Sequence, residues 1–449
     1  MFGARFLPLA GLLIAFAGCS GGSGIQSQTV PSSERQGTLI PQVAQQGNGQ
    51  TVIVFPAAPS SCTPTGLIRA SDGNFWFGDL CAAGFFHISN NGIVGVIDFG
   101  IAKNIGTDAL AEGPDKNLWY PLGGYIGRIG FKGNNFARFR LPSPGFEAGS
   151  TPIVGPDGAL WFSEASSVQT KLARMTFPNH VITDYDVPNG AAALAAGPDG
   201  NIWLTGDNFV TGVGDVGFVV RFDISTHTTT SFQLPNRVLP GTIIGARDGN
   251  LYVSGSNGSG QFFKVTPSGN MTLIPNPDIA NQGRFIIAMV PGPNSKLWTL
   301  TQYCDLQTFD TATQAFSAPL ISHSTSDCGS TGSIAWGGDG NVWFTVTPVN
   351  SNNHQIDVYL AHSQTVTPNA LTFTGSGTKT FTVTESGFSG TFYARSSNTS
   401  VATVNSTSMT GSFSVTATGK GTAIITVADT DLSHAYRSNT SQVSITVTP

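Results

Sequence analysis

The sequence predicts an all-β chain, a seven-bladed β-propeller followed by a small β-sandwich. Three observations carry this expectation. A short phrase returns seven times between residues 71 and 344, as SDGNFWF, GPDKNLWY, GPDGALWF, GPDGNIWL, ARDGNLYV, GPNSKLWT and GGDGNVWF. Its aromatic anchors, Trp76, Trp119, Trp161, Trp203, Tyr252, Trp298 and Trp343, stand 43, 42, 42, 49, 46 and 45 residues apart. A period in the forties with one tight turn and several short strands suits a propeller blade. The composition agrees: 55 Gly and 26 Pro against 10% charged residues leave room for many turns and few solvated helices.

Each unit carries four strand signals. In the fourth, LAAG is followed by the turn Pro198-Asp199-Gly200, then NIWLTG, FVVRFD and TTTSFQLP. The Asp-Gly pair supplies the dihedrals of a tight hairpin, and alternation sets Ile202 and Leu204 opposite Trp203. Aromatics recurring at one position are expected to fill the gaps between adjacent sheets rather than to stack a ligand. The third strand repeats as FFHI, IGRI, LARM, VVRF and FFKV, which puts His87, Arg128, Arg174, Arg221 and Lys264 in one equivalent slot. His87 is thereby a repeat residue and not a catalytic candidate. Asp72, Asp115, Asp157, Asp199, Asp248 and Asp339 are likewise turn residues.

The units occupy residues 51–363. The seventh offers IAWG, NVWFTVT and QIDVYLA and then lacks a fourth strand, whereas Thr51–Phe55 resembles the outer strands of other units. That segment is expected to pair with the third strand of the seventh unit and close the ring, hiding the edges of an open array. Residues 364–449 change texture to alternating Ser/Thr-rich runs such as SFSVTAT and QVSITVTP, enough for a small sandwich. Within it, SSNTSVATVN and ATGKGTAIITV resemble bacterial Ig-like (Big) domains, which implies a spacer or adhesive module.

Residues 1–19 read as an address. Arg5 precedes the apolar run Leu7–Ala17, which is short for a membrane span. Phe16-Ala17-Gly18-Cys19 resembles a bacterial lipobox, with Phe16 where Leu is usual; the resemblance implies lipidation of Cys19, and Ser20 implies the outer membrane. Residues 20–50, rich in Gly, Ser and Gln, read as a flexible tether. The expected location is the cell envelope, with the lipid on Cys19 as the membrane contact. Four cysteines remain, and export makes disulfides Cys62–Cys81 and Cys304–Cys328 plausible from the repeat register. A net charge of −5 without a dense basic cluster excludes nucleic acid as the expected partner.

The units resemble the virginiamycin B lyase (streptogramin lyase) family over about residues 51–361, most closely in GPDGALWFSE and YIGRI. The resemblance implies Mg²⁺-assisted elimination that opens a cyclic depsipeptide antibiotic, with a His general base and glutamate ligands at the channel mouth. The family's His stands eleven residues before the aromatic. Here that slot holds Thr65, Asp108, Ser150, Ala192, Gly241, Ile287 and Gly332. Three residues past the aromatic, only Asp79 and Glu164 are acidic. Asp79, Asp108 and Glu164 come from successive units and point toward one mouth, where three oxygen ligands could hold Ca²⁺ or Mg²⁺. The preferred reading is three solvated carboxylates too far apart to share an ion, since propeller mouths are wide and polar. His180 and His227 fall in turns on the opposite rim, and His323 and His354 in polar loops of the seventh unit. No catalytic residue is assigned. The expected function is a non-enzymatic module that binds or scaffolds a glycan, a peptide or an envelope protein; the alternative is a lyase using relocated residues.

Overall fold

The computed structural model describes residues 35–38, 42–45, 51–56, 64–79, 84–88, 93–98, 109–276, 284–321, 332–337, 341–346, 355–359, 364–385, 390–429 and 440–449. These residues form an all-β molecule of small antiparallel sheets, as in a β-propeller. Between Arg35 and Tyr359 they build seven sheets of four or five strands, taken here in chain order.

The repeated phrase explains the local geometry. In the third sheet the turn at Asp157-Gly158 closes with Gly158 N–H donating to Gly155 O at 3.0 Å. Gly158 has φ +72°, where a side chain would be strained. Trp161 Nε1 donates to Asp157 Oδ1 at 2.9 Å. A Cβ on Gly155 would stand 2.5 Å from the indole edge, so the ring needs a glycine there. The third strand completes the clamp, for Trp161 faces Arg174 across the ladder, and Arg174 Nε donates to Asp157 Oδ2 at 2.7 Å. Burial alone raises the Asp157 carboxyl, yet bonds from Trp161, Arg174 and the Ala159 amide outweigh it and hold it below its ordinary value. The same indole-to-aspartate bond appears at Trp76–Asp72, Trp119–Asp115 and Trp203–Asp199, at 3.0, 2.8 and 2.9 Å. Tyr252 replaces it with a hydroxyl donor to Asp248 at 2.9 Å. The third-strand slot holds His87, Arg128, Arg221 and Lys264 opposite Trp76, Trp119, Trp203 and Tyr252.

The anchors do fill the gaps between sheets. Trp161, Leu172, Ile202, Leu204, Val220 and Phe222 share one cluster between the third and fourth sheets. Trp76, Phe85, Leu118, Tyr120 and Ile129 share another between the first and second. The sequence of clusters returns on itself: Leu67, Phe75 and Phe77 of the first sheet pack with Ala335, Trp343, Ile356 and Val358 of the seventh. Phe75 stacks on Trp343 at 4.1 Å. At this seam Thr51–Pro56 pairs antiparallel with Gln355–Tyr359, as the missing fourth strand required.

Two features depart from the sequence reading. The stretch read as a tether contains strands: Arg35–Thr38 pairs with Ile93–Asp98 on the first sheet, and Gln42–Gln45 pairs with Thr51–Pro56 on the seventh. Main-chain bonds at a sheet edge need no apolar pattern, so a polar segment concealed them. The fourth sheet also carries a long hairpin, Ile202–Val210 with Gly214–Asp223. It runs past the NIWLTG and FVVRFD signals at its tip and leaves Phe209 69% exposed.

The described residues of 364–449 form two sheets around one core that includes Phe373, Phe381, Phe413, Val415, Ile425 and Ile445. Ala370–Thr374 runs parallel to Thr440–Thr448, and the other pairs are antiparallel. Cys304 is buried and disulfide-bonded. Cys19, Cys62, Cys81 and Cys328 lie outside the described residues, as does the leader.

Candidate functional site

Of the positions eleven residues before each aromatic, Thr65, Gly241 and Ile287 lie on the first strands of their sheets and Ser150, Ala192 and Gly332 just before such strands, and Ser150 and Gly241 among them make structural bonds. Ser150 is buried and its Oγ accepts the Ser163 N–H at 2.9 Å. Gly241 O accepts Thr205 Oγ1–H at 3.0 Å across the gap between the fourth and fifth sheets. Ser254 Oγ accepts the Thr242 N–H at 3.1 Å and donates to Ile286 O of the sixth sheet at 2.8 Å. Ser333 Oγ, on the seventh sheet, accepts the Gly66 N–H of the first at 3.0 Å. These hydroxyls stitch neighbouring inner strands together. Part of the signal was available in the sequence, since Thr205 and Ser254 both stand two residues past an aromatic. Asp108 lies outside the described residues.

Of the three proposed ion ligands, Asp79 ends the strand Phe75–Asp79, opposite Pro64. Glu164 lies on Leu160–Ala165, between Ala148 and Lys171 of the flanking strands. It is fully buried, and neither carboxylate oxygen has a hydrogen-bond partner. Burial first, then the charge of Asp184, push it up to about 7, against an opposing pull from Lys171. Lys171 Nζ lies 3.1 Å from Asp184 Oδ2 and 3.5 Å from Asp186 Oδ1. Ser143 and Lys171 hold the Asp184 carboxyl below its usual range although burial opposes them. Among the described residues, no group of three or more His, Cys, Asp or Glu side chains is placed to hold a metal ion.

The described imidazoles serve packing. His180 stacks on Phe139 at 4.7 Å and lies 3.1 Å from Arg128 Nη1; burial first, then the Arg128 charge, lower its pKa. His227 packs on Tyr185 at 4.9 Å, and His87 on Trp76 at 4.5 Å. His323 and His354 lie outside the described residues.

A second buried acid escaped the sequence reading. Asp357, on Gln355–Tyr359 at the ring seam, is fully buried; Gln355 donates to its Oδ1 at 2.9 Å and its Oδ2 has no partner. Burial pushes its pKa from 3.8 up to about 8, against a smaller opposing effect of the Gln355 bond. The folded state therefore binds this proton more tightly than the unfolded chain, and stability falls as pH rises between those two values. Asp357→Asn, which stays neutral, should match the parent near pH 4 and melt at least about 3 °C above it at pH 9 in calorimetry. Equal melting shifts at both pH values would contradict a buried titrating acid.

Residues 32–230 match the virginiamycin B lyase family. No curated protein matches the chain. A streptogramin B lyase structure is 21% identical, covers 68% of this chain and 96% of its own, and superposes with a TM-score of 0.53. A catalytically inactive virginiamycin B lyase from Staphylococcus aureus with quinupristin is 20% identical over 69% and 99% of the two chains, with a TM-score of 0.55. The extracellular domain of a hybrid two-component system from B. thetaiotaomicron is 12% identical, covers 91% of this chain and 63% of its own, and gives 0.51. Identities this low show the fold and leave activity open. Both a lyase and an extracellular domain of a signalling system share it. Among the described residues, no helix is long and apolar enough to cross a membrane.

Proposed function

We propose that the chain is a lipid-anchored cell-envelope protein whose seven sheets are the blades of a closed propeller that binds or scaffolds a ligand without catalysis. The C-terminal sandwich acts as an Ig-like spacer, Cys19 carries the lipid, and a Cys304–Cys328 bridge ties the sixth blade to the seventh. The ligand class is a glycan, a peptide or an envelope protein.

One observation carries this reading. None of the seven positions that would present a general base is His, and Ser150 is spent on holding its own sheet. An elimination at neutral pH needs a base with a pKa near 7 placed against the departing proton. The second reading, a lyase of the virginiamycin B type, draws on the match over residues 32–230 and on Glu164, a buried acid at the position where the resemblance puts a metal ligand. If Mg²⁺ bound there, it would stabilise the developing oxyanion, with Glu164 supplying one oxygen. The unpartnered oxygens of Glu164 fit such a cation, whereas Lys171, its partner across the strand ladder, does not.

The test is incubation of the protein with a streptogramin B and Mg²⁺. Elimination leaves the mass unchanged, so chromatographic retention is followed together with mass. The expected result is cyclic antibiotic only. A linear product that disappears with chelator would replace this reading with the lyase.

A further inference from the structure

The hairpin of the fourth sheet departs from the pattern of the repeats. In every other sheet of the repeat region the second and third strands are five or six residues long, whereas Ile202–Val210 and Gly214–Asp223 run to nine and ten. The extra length carries the ribbon about three residues, roughly 10 Å, past its neighbours. Antiparallel strands alternate in direction, so this turn lies at the end of the sheets opposite the Asp-Gly turns.

The base of the ribbon is held on both faces. A Cβ on Gly206 would stand 2.0 Å from Asn189 O, and one on Gly217 would stand 2.1 Å from Val238 O. The two glycines thus let the flanking chain pack directly against the ribbon. Asn208 Nδ2 donates to Asn189 Oδ1 at 3.5 Å, and at the tip the Val213 N–H donates to Val210 O at 2.9 Å. A ribbon held in this way presents its tip in one place and leaves a ligand little ordering to supply.

That tip is apolar. Of the nine large apolar side chains exposed among the described residues, Phe209, Val210 and Val213 lie on it. Val168, 91% exposed, lies on the corresponding turn of the third sheet, between Leu160–Ala165 and Thr170–Met175. The two turns adjoin: Gln169 Nε2 donates to Asp186 Oδ1 at 2.8 Å, and a Cβ on Gly190, four residues further on, would meet Asp207 O at 3.5 Å. Single exposed apolar side chains need no explanation, but four on two adjoining turns make a patch. Carboxylates border it. Asp215 faces Phe209 across the ladder, and Asp207 stands two residues before Phe209 on the same face. Burial, then the charge of Asp215, raises the Asp207 carboxyl. Neither aspartate makes an ion pair among the described residues. Asp186 is exposed and shares Lys171 with Asp184. The basic side chain against the hairpin is Arg237, whose Nη2 would lie 2.4 Å from a Cβ on Gly214.

We propose that the hairpin tip and the Val168 turn form one docking surface for a cationic peptide with large apolar side chains. Phe209 and the three valines receive the apolar side chains, and Asp186, Asp207 and Asp215 attract the positive charges. The same carboxylates repel an anionic lipid surface, which disfavours insertion of the tip into a membrane. This narrows the ligand class proposed above to a peptide and rests on that reading.

The full-length protein is titrated into a fluorescein-labelled peptide of alternating lysine and leucine, and anisotropy is followed. A glutamate–leucine peptide and a lysine–serine peptide are titrated beside it. The expected result is saturable binding of the lysine–leucine peptide alone, weakened by added salt. Phe209→Ser combined with Val213→Ser should raise the half-saturating concentration about tenfold or more and leave the melting temperature unchanged, since both side chains lie outside the core. Asp207→Asn combined with Asp215→Asn should raise it about threefold at low salt and flatten its salt dependence. Equal binding of the three peptides, or attachment to phosphatidylglycerol vesicles with no peptide bound, overturns the proposal. Binding that survives the hairpin substitutions also overturns it, while keeping a peptide as the ligand of the protein. No binding of any peptide overturns it and leaves a glycan or an envelope protein as that ligand.

Discussion

Trp161→Ala should cost about 3–5 kcal/mol of stability, the range for removing a large buried aromatic. The ring is fully buried and packs 5.5 Å from Phe222 and 6.2 Å from Tyr185, so its loss opens a void between the third and fourth sheets. It also leaves Asp157 and Arg174 without the surface they close over. Trp161→Phe separates the two contributions, since it keeps much of the volume and drops the Nε1 donor. It should cost less than the Ala variant, of which about 1–3 kcal/mol comes from the lost bond. Differential calorimetry is the suitable measurement, and the C-terminal sandwich, with its own core, supplies an internal reference whose transition should not move. A loss below about 1 kcal/mol in the Ala variant would mean that the anchors do not fill the gaps between sheets.

Much of this architecture is legible in the residues because the repeats return, in full or in part, to one physical device, complete in the third and fourth copies. Glycine allows the indole to approach, aspartate accepts its N–H, a second glycine takes the positive φ, and an arginine or lysine faces the ring from the next strand. Reading Asp72 to Asp248 as turn residues, and His87 as one member of a slot, follows from that recurrence and agrees with their bonds. What depends on a single copy was not legible. The edge strands Arg35–Thr38 and Gln42–Gln45 are held by main-chain pairing, which polar sequence does not announce. Glu164 reads as a solvated mouth carboxylate, whereas the strand Glu147–Ala148 lies beside it and buries it. Asp357 occupies a place that is apolar in most other copies, such as Phe86, Ala173 and Val220, and no periodic pattern predicts an acid there. The sixth repeat shows Asn294-Ser295 in place of Asp-Gly in its sequence, but that the Nε1 of Trp298 is buried without a partner required the geometry.

The second large effect belongs to the seam. Val54 lies between Gln42 on one side and Asp357 on the other. Proline at position 54 removes an N–H from one ladder or the other and leaves its carbonyl partner unsatisfied, at roughly 1–3 kcal/mol for the bond alone. The loss should spread, because the strand it loosens covers the edge of Gln355–Tyr359, whose Ile356 and Val358 belong to the cluster joining the seventh sheet to the first. Val54→Pro should therefore lower the melting temperature of the repeat region by about 5 °C or more and broaden its transition, with the sandwich transition unchanged. The same substitution would do little if the N-terminal segment merely lay against a ring already complete without it.

Amide hydrogen exchange over Val52–Phe55 and Ile356–Tyr359 reads this seam directly. A circle closed by pairing the two ends of the repeat region predicts slow exchange in both segments, comparable with Trp161–Ser163 inside the third sheet, and joint loss of that protection in Val54→Pro. Rapid exchange of Val52–Phe55 in the unmodified protein, with Ile356–Tyr359 still protected, would contradict it.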